Sequence, residues 1–455
     1  MELKAIVLAA GEGTRMKSKL PKVLHKVCGQ TMLKHVIDAV NNSGIEECIV
    51  VVGHEAEKVK ESLSSEIKTV LQEEQLGTGH AVMMAYDNIR EGIILVLCGD
   101  GPLITEGTLR AMIDYHRKGD FGATVLTADL PNPKGYGRII RDAGDRLQKI
   151  VEEKDATVQE KSITEINSGI YCFDGSTLRD VLPKLGNDNI QKEYYLTDVL
   201  PIMRNMGFKT GIYKTQNYEE IMAINSKGQL ADVEAIMRKR INKNHMTNGV
   251  TIINPEHTYI EKTVTIGMDT VIYAGAILTG NTVIGEGCII GQNSRIENSI
   301  IGNGVEVQSS TIIDSSVGDY TTVGPYAYLR PNSSIGEHVK IGTFVEVKNS
   351  KIDSHTSASH LSYIGDADVG KNVNIGCGVV FVNYDGKEKN RSIIGDNVFV
   401  GSNVNLIAPL IVKKDGYIAC GSTITSEVPE GALAIARARQ ENKEGWVDKK
   451  GLLRE

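Results

Sequence analysis

The sequence has no run of about 18 uncharged apolar residues, the length that a membrane-crossing helix requires, so no span and no membrane partner is expected. Its first apolar run, Ala5 to Ala10, is too short for the core of a signal peptide and leads straight into a glycine loop. The seven cysteines, at 28, 48, 98, 172, 288, 377 and 420, are odd in number, and no two form a Cys-x-x-Cys. That argues against a disulfide framework or a thiolate zinc site. It points to a reducing cytoplasm, with the cysteines serving mostly as small buried hydrophobes. A positive excess is lacking too: the net charge is −7 and the pI about 5.9. Tight, sequence-independent nucleic-acid binding needs a basic face, so no nucleic-acid partner is expected, while local basic pockets for phosphates stay open.

What is present is ordinary globular material: 455 residues, 41% hydrophobic and 24% charged. At about 100–200 residues per domain this predicts two to four domains and at least two cores. The chain reads as two unlike halves. In residues 1–227, apolar runs at LKAIVL (3–8), ECIVVVG (47–53) and IILVLCGD (93–100) alternate with helical spacing such as TMLKHVIDAVNNSG (31–44). Continuous apolar strands between helices predict an α/β domain with a Rossmann-like, mostly parallel sheet, whose ligands sit beyond the carboxyl ends of the strands. A helical connector is expected within 219–246, assigned to 228–249, with Ile236, Met237 and Ile241 on one face and Arg238, Lys239 and Arg240 in its last turns.

From residue 250 to 455 the period changes. An aliphatic residue followed by glycine recurs from Ile266 to Val400, and neighbouring pairs such as 284/290, 317/323 and 369/375 lie six apart. A fixed six-residue phase is the signature of a solenoid of short strands, three to a coil, each placing one aliphatic inward. The phase breaks between Ile341 and Ile364 and again between Ile375 and Ile394, and both breaks are expected to be loops on the flank of the solenoid.

The loop LAAGEGTRM (8–16) leaves the first strand directly. It is neither a Walker A loop nor a dinucleotide fingerprint, because no Gly-Lys-Ser/Thr follows and Met16 stands where a third glycine belongs. Alone, it reads either as a glycine turn with surface cations or as backbone N–H groups able to hold phosphate oxygens. LPKVL (20–24) at this spacing tips the balance to the second. Together the two segments resemble the sugar-1-phosphate nucleotidylyltransferases. The resemblance continues through QLGTGHA (75–81), GDGPL (99–103), GYGRI (135–139), IVEEKDA (150–156) and INSGIY (166–171). With the hexapeptide half, it becomes a resemblance to the bacterial family of bifunctional N-acetylglucosamine-1-phosphate uridylyltransferase/glucosamine-1-phosphate N-acetyltransferases, over almost the whole chain.

That resemblance implies two activities. One acetylates glucosamine 1-phosphate from acetyl-CoA. The other joins N-acetylglucosamine 1-phosphate to UTP and releases pyrophosphate, in bacterial cell-wall precursor synthesis. For the second reaction it implies Arg15 and Lys22 on the phosphates and Asp100 and Asn225 on Mg²⁺, with Ala10, Gly11, Gln72, Gly77 and Thr78 at uridine. Tyr136, Gly137, Glu152 and Asn167 would line the sugar pocket. Cancelling the charge of two meeting polyanions and aligning the attack is what such a site must do. For the first reaction it implies His360 as general base, oriented by Glu346, and Arg330, Lys348, Tyr363 and Asn374 at the acceptor sugar phosphate. Cys377, Asn383, Tyr384, Lys389, Ser402, Cys420 and Arg437 would lie along acetyl-CoA, with the backbone N–H of Cys377 as oxyanion donor. The solenoid is left-handed in the family, against the usual handedness of crossovers. The family also implies a homotrimer, with the tail around Trp446 either on a neighbouring subunit or simply ordered. Cys98, Gly101, Cys377 and Cys420 depart from the family's usual residues at their positions.

Overall fold

In the first unit, Met1–Met237, the apolar runs become the central strands of one sheet. The computed structural model describes residues 2–452; Met1 and the last three residues of the tail lie outside the described part. The strands are β1 (Leu3–Ala9), β2 (Glu47–Val52), β3 (Lys68–Leu71), β4 (Ile93–Cys98), β5 (Ala123–Asp129), β6 (Arg138–Arg141), β7 (Leu147–Val151), β8 (Glu165–Asp174) and β9 (Thr210–Lys214). The sheet order is β9-β5-β8-β4-β1-β2-β3, with β6 and β7 attached as a hairpin beside β8. All neighbours on that path are parallel except β8, which runs antiparallel to both β4 and β5. Along β1, Ala5, Val7 and Ala9 pack into one core, and Ile6 packs into the core on the other face. A strand buried on both faces has to be apolar throughout, which explains the unbroken runs. Helix α1 (Met32–Asn42) starts where the Thr31 side chain accepts from the Lys34 N–H, an N-cap in the expected place. Beyond a short helix at Ala56–Glu61 come α2 (Thr78–Met84) and α3 (Glu106–Gly119).

The connector helix begins within a residue of the assigned 228 and not at 219. Tyr218–Ile221 is a single 3-10 turn, and helix α4 spans Lys227–Thr247, so the division between the units falls inside α4. Because α4 continues to Thr247, Arg238, Lys239 and Arg240 are not in its last turn, where His245 stands instead. Met237 and Ile241 are buried and Ile236 is half-buried, as the spacing predicts.

The second unit, Arg238–Glu455, is a solenoid of two- and three-residue parallel strands. Val271 pairs with Ile289, Glu306 with Thr322 and Ser357 with Asn374, so one coil takes 18, 16 and 17 residues in turn. Coils that drop a residue at a turn explain why the six-residue phase drifts without the architecture changing. Of the aliphatics that carry the phase, Ile266 is half-buried and the rest, from Ile284 to Val400, are at most 3% exposed. Stacked coils thus bury one continuous apolar column, in a left-handed parallel β-helix.

The first break in the phase is not a loop. Lys340–Lys348 and Ser357–Gly365 are nine-residue strands, the longest in the solenoid, and they pair in parallel register from Lys340↔Ser357 to Lys348↔Gly365. Val345, Val347 and Ala358 fill the inward positions at 0–1% exposure, so the coil continues with other residues in the glycine places. Phe344 and Leu361 turn the corner in left-handed conformation, at φ 56° and 34°. The second break is a loop: Asn374 pairs with Phe399, 25 residues on, and Tyr384 bridges to Lys389 around a tight turn.

Candidate functional site

The first site forms where β1 and β4 end side by side, with Leu8 opposite Cys98. Four side chains from distant parts of the sequence meet there. Lys22 pairs with Asp100 Oδ2 and lies 3.1 Å from Asn225 Oδ1, which also accepts from Arg15 Nη2 at 2.8 Å. Arg15 is held in a 3-10 turn and Lys22 begins another, on the loop after β1. Asp100 follows β4 by two residues, and its carbonyl accepts from the Ile224 N–H at 3.0 Å, which brings Asn225 to it. Gly13 is required for the approach: its φ is +64°, and a Cβ there would lie 2.6 Å from Lys22 Cβ.

Two adjoining cavities share Leu8, Thr78, Cys98 and Asp100. One, of about 310 Å³, takes Ala10, Gly11, Gln72 and Gly77, expected at uridine, with Lys22, expected on the phosphates. The other, of about 290 Å³, takes Tyr136, Gly137, Glu152 and Asn167, expected at the sugar, with Arg15, expected on the phosphates, and Asn225, expected on Mg²⁺. Asn167 Oδ1 accepts from the Gly169 N–H and from Tyr171 Oη, both at 3.0 Å, which leaves its amide N–H₂ for a ligand. The Tyr136 hydroxyl accepts from the Ala223 N–H at 3.3 Å. Burial, then the neighbouring Asp155, Asp198 and Glu193, pushes the Glu152 carboxyl above its ordinary range. Burial pushes the Cys98 thiol up to about 12, so this residue is an inert, neutral wall of both cavities. Gln72 is buried, and its amide N–H₂ faces Gly77 O at 3.2 Å and His80 Nδ1 at 3.0 Å, so it shapes the loop before α2 as well as the cavity.

The donor set suits a hard cation. Asp100 Oδ1 is a buried carboxylate oxygen without a hydrogen-bond partner, and Asn225 Oδ1 adds a second oxygen beside it. Two oxygens of this kind, completed by phosphate and water, match what Mg²⁺ accepts. Sequence reasoning missed Gln229, whose Oε1 accepts from the Asn225 N–H at 2.8 Å, and Glu193, on the uridine-side wall. Nothing local marks either one, because the partner comes from a remote segment.

The second group lies on the solenoid. Thr343 faces His360 across the long strands, and the coil repeat puts Cys377, Ser402 and Cys420 above them at one corner: the Asn403 N–H donates to Cys377 O and the Gly421 N–H to Ser402 O. Cys377 and Cys420 are exposed, whereas Cys28, Cys48, Cys172 and Cys288 are buried as expected. Arg437 Cδ lies 3.7 Å from where a Cβ on Gly421 would stand, which adds it to the same column.

Glu346 does not meet His360 within the chain. Its carboxylate accepts from Arg330 Nη1 at 2.9 Å, and the His360 ring makes no hydrogen bond among the described residues. The reason is register: Glu346 stands opposite Tyr363, past the Phe344/Leu361 corner, while His360 lies before it. Asn374 also lies before that corner, opposite Ser357, and so is separated from Arg330, Lys348 and Tyr363. Lys389 takes a place with those phosphate-group residues: the Lys348 ammonium beside it holds its own ammonium below the ordinary lysine range. Tyr384 Oη donates to Gly386 O at 2.7 Å and is exposed on the loop.

Sequence reasoning also missed Asp366, at the hub of this group. It accepts from Asn383 Nδ2 and from Asn349 Nδ2, with Lys348 Nζ at 3.6 Å. Burial alone would raise its carboxyl, but hydrogen bonds from Asn349 and Asn383 and the charge of Lys348 hold it below the ordinary range. The signal was there in the 17-residue spacing of Asn349, Asp366 and Asn383, one coil apart.

Comparison with known proteins agrees with this division. Residues 5–162 match the MobA-like NTP transferase domain, and residues 263–298 and 314–349 match the bacterial transferase hexapeptide repeats. The chain is 73% identical to the bifunctional protein GlmU of Alkaliphilus oremlandii over 100% of both chains. It is 65% identical to that of Alkaliphilus metalliredigens over 99% of each, and 61% identical to that of Clostridioides difficile over 99% of this chain and 98% of the other.

Proposed function

This chain belongs to the bifunctional GlmU protein family, and from that premise we propose how its residues share the work. It is a transferase with both uridylyltransferase and glucosamine-1-phosphate acetyltransferase activity in UDP-N-acetylglucosamine synthesis, with a nucleotide and acetyl-CoA as co-substrates. We assign uridylyl transfer to residues 1–227 and acetyl transfer to residues 250–455.

At the sheet edge, UTP fills the cavity of Ala10, Gln72 and Gly77, and N-acetylglucosamine 1-phosphate fills that of Tyr136, Glu152 and Asn167. Arg15 and Lys22 stand at their junction, where the sugar phosphate oxygen attacks the α-phosphorus and pyrophosphate leaves. Their two charges offset the repulsion between the polyanions and draw the attacking oxygen into line. Asp100 and Asn225 would hold Mg²⁺, which would supply neutralisation of phosphate charge. In the chain without ligands Lys22 pairs with Asp100, within reach of the junction where the phosphates would meet.

On the solenoid, His360 accepts a proton from the amine of glucosamine 1-phosphate as that nitrogen attacks the thioester carbon. The N–H of Cys377 receives the developing oxyanion, and the CoA thiolate leaves. Lys348 and Lys389, close enough to depress one another, bind the sugar phosphate together with Tyr363 and Arg330. The coenzyme runs along the column of Ser402, Cys420 and Arg437. A homotrimer in the cytoplasm, with Asn374 and Glu346 completing sites from a neighbouring copy, accounts for their separation from His360 and Lys348 in the single chain.

The observation that carries this reading is the meeting of Arg15, Lys22, Asp100 and Asn225 between two cavities that sort the expected nucleotide and sugar residues. His360→Ala should abolish acetyl transfer and spare uridylyl transfer, and Asp100→Ala should do the reverse. Thiol release from acetyl-CoA and pyrophosphate release from UTP are the two assays. Loss of both activities from either change, in folded protein, contradicts separate sites.

A further inference from the structure

Asp366 sits at a corner of the solenoid in left-handed conformation, φ 50°, and is 6% exposed. Asparagine and aspartate tolerate that conformation best after glycine, which accounts for a small polar residue but not for a charge. Asn349, one coil away, uses asparagine at φ 46° for the same turn. Asp314 stands at another such corner, at φ 44°, but exposed, so it is the burial of the charge at 366 that calls for a cause.

Its contacts supply one. A carboxylate only accepts, so the Asn383 atom facing Asp366 has to be the N–H₂ group. That same nitrogen lies 3.3 Å from the Tyr363 hydroxyl. The Tyr363 hydroxyl can donate or accept and suits either orientation, so Asp366 alone fixes the Asn383 amide in one of its two orientations, and Asn383 Oδ1 accepts from no described residue. Asn383 begins the loop inserted into the coil, and Lys348 and Lys389 flank it. A neutral residue at 366 would let the amide turn over, presenting N–H₂ where a carbonyl now stands.

We propose that Asp366 is a positioning residue for acetyl transfer: its carboxylate locks the Asn383 amide so that Oδ1 accepts a hydrogen bond from the amino group of the acceptor sugar. This rests on the acetyltransferase reading of the solenoid. An acceptor at that point orients the amine lone pair toward the thioester and favours the nitrogen that is losing its proton to His360.

The test is Asp366→Asn in the full-length chain. Asparagine keeps the left-handed corner and the contact with Asn349, and removes the obligatory acceptor together with the charge that faces Lys348. The kcat of acetyl transfer should fall roughly tenfold or more, one charge-assisted hydrogen bond's worth, with the KM for acetyl-CoA and the rate of uridylyl transfer unchanged. Unchanged kcat in folded protein overturns the inference, and so does an equal loss of both activities, which marks a structural role. If Asp366→Asn does not fold, Asp366→Ser repeats the test, since Ser309 occupies such a corner in this chain at φ 38°. A wild-type chain that does not acetylate glucosamine 1-phosphate refutes the acetyltransferase reading itself. Activity in wild type with no change in the variant refutes only the role of Asp366.

Discussion

Replacing Lys22 with methionine separates two effects that have opposite signs. The Lys22 and Asp100 side chains are 17% and 13% exposed, so their attraction is only partly screened by water. At an effective dielectric near 20 and about 4 Å, a unit charge pair is worth roughly 4 kcal/mol before desolvation is subtracted. In the proposed reaction the same charge serves the phosphates. Removing one preorganised donor from a developing anion costs about 3–4 kcal/mol, or roughly 10²–10³ in rate. Uridylyl transfer should therefore fall by about that factor while acetyl transfer is unchanged. In the protein without nucleotide, however, Lys22 competes with a divalent cation for Asp100 Oδ2. Its removal should tighten the binding of Mn²⁺, used as a probe for Mg²⁺, by roughly tenfold, the equivalent of about 1.4 kcal/mol. Paramagnetic titration of Mn²⁺ measures the second effect, and pyrophosphate release measures the first. An unchanged rate refutes the phosphate role. Metal affinity that falls along with the rate refutes the competition, because Lys22 would then be supporting the metal site rather than occupying it.

Glu152 gives a pH signature. Its carboxyl is raised by burial from the ordinary value of 4.5, so the folded state holds its proton more tightly than the unfolded state does. The charged form thus costs stability as pH rises above 4.5, and Glu152→Gln should raise the thermal midpoint at pH 7, a gain that vanishes below that value. In wild type, the KM for N-acetylglucosamine 1-phosphate should climb as pH falls through the raised pKa; a flat profile contradicts a charged acceptor there. Gly13→Ala forces a Cβ into left-handed backbone and onto Lys22, at a cost of about 1–2 kcal/mol from conformation alone. It should cut uridylyl transfer at least tenfold and leave acetyl transfer intact. Phe381 is fully buried in the solenoid. Phe381→Ala should destabilise that unit by about 3–5 kcal/mol, so that on heating acetyl transfer is lost well before uridylyl transfer, whereas parallel loss would mean that the units unfold as one.

The sequence by itself determined the two architectures. Periodicity is a local property: an unbroken apolar run has to be covered on both faces, and an aliphatic every sixth residue has to point into a coil, whatever lies elsewhere in the chain. It also placed Asp100 at a strand end, while the nucleotide and sugar residues that the two cavities bring together were named only by the family resemblance. It misjudged the segment between Ile341 and Ile364, because coils of 16 to 18 residues lose the phase without losing the register. Only the tertiary structure decided which side chains meet. Lys22 and Asn225 are 203 positions apart, and the pairing of Glu346 with Arg330 within the chain became visible only once the corner at Phe344 and Leu361 was placed. Asp366 became visible for the same reason: stacking turns a spacing of 17 residues into contact, and hydrogen bonds act over a few ångströms of space, not along the chain.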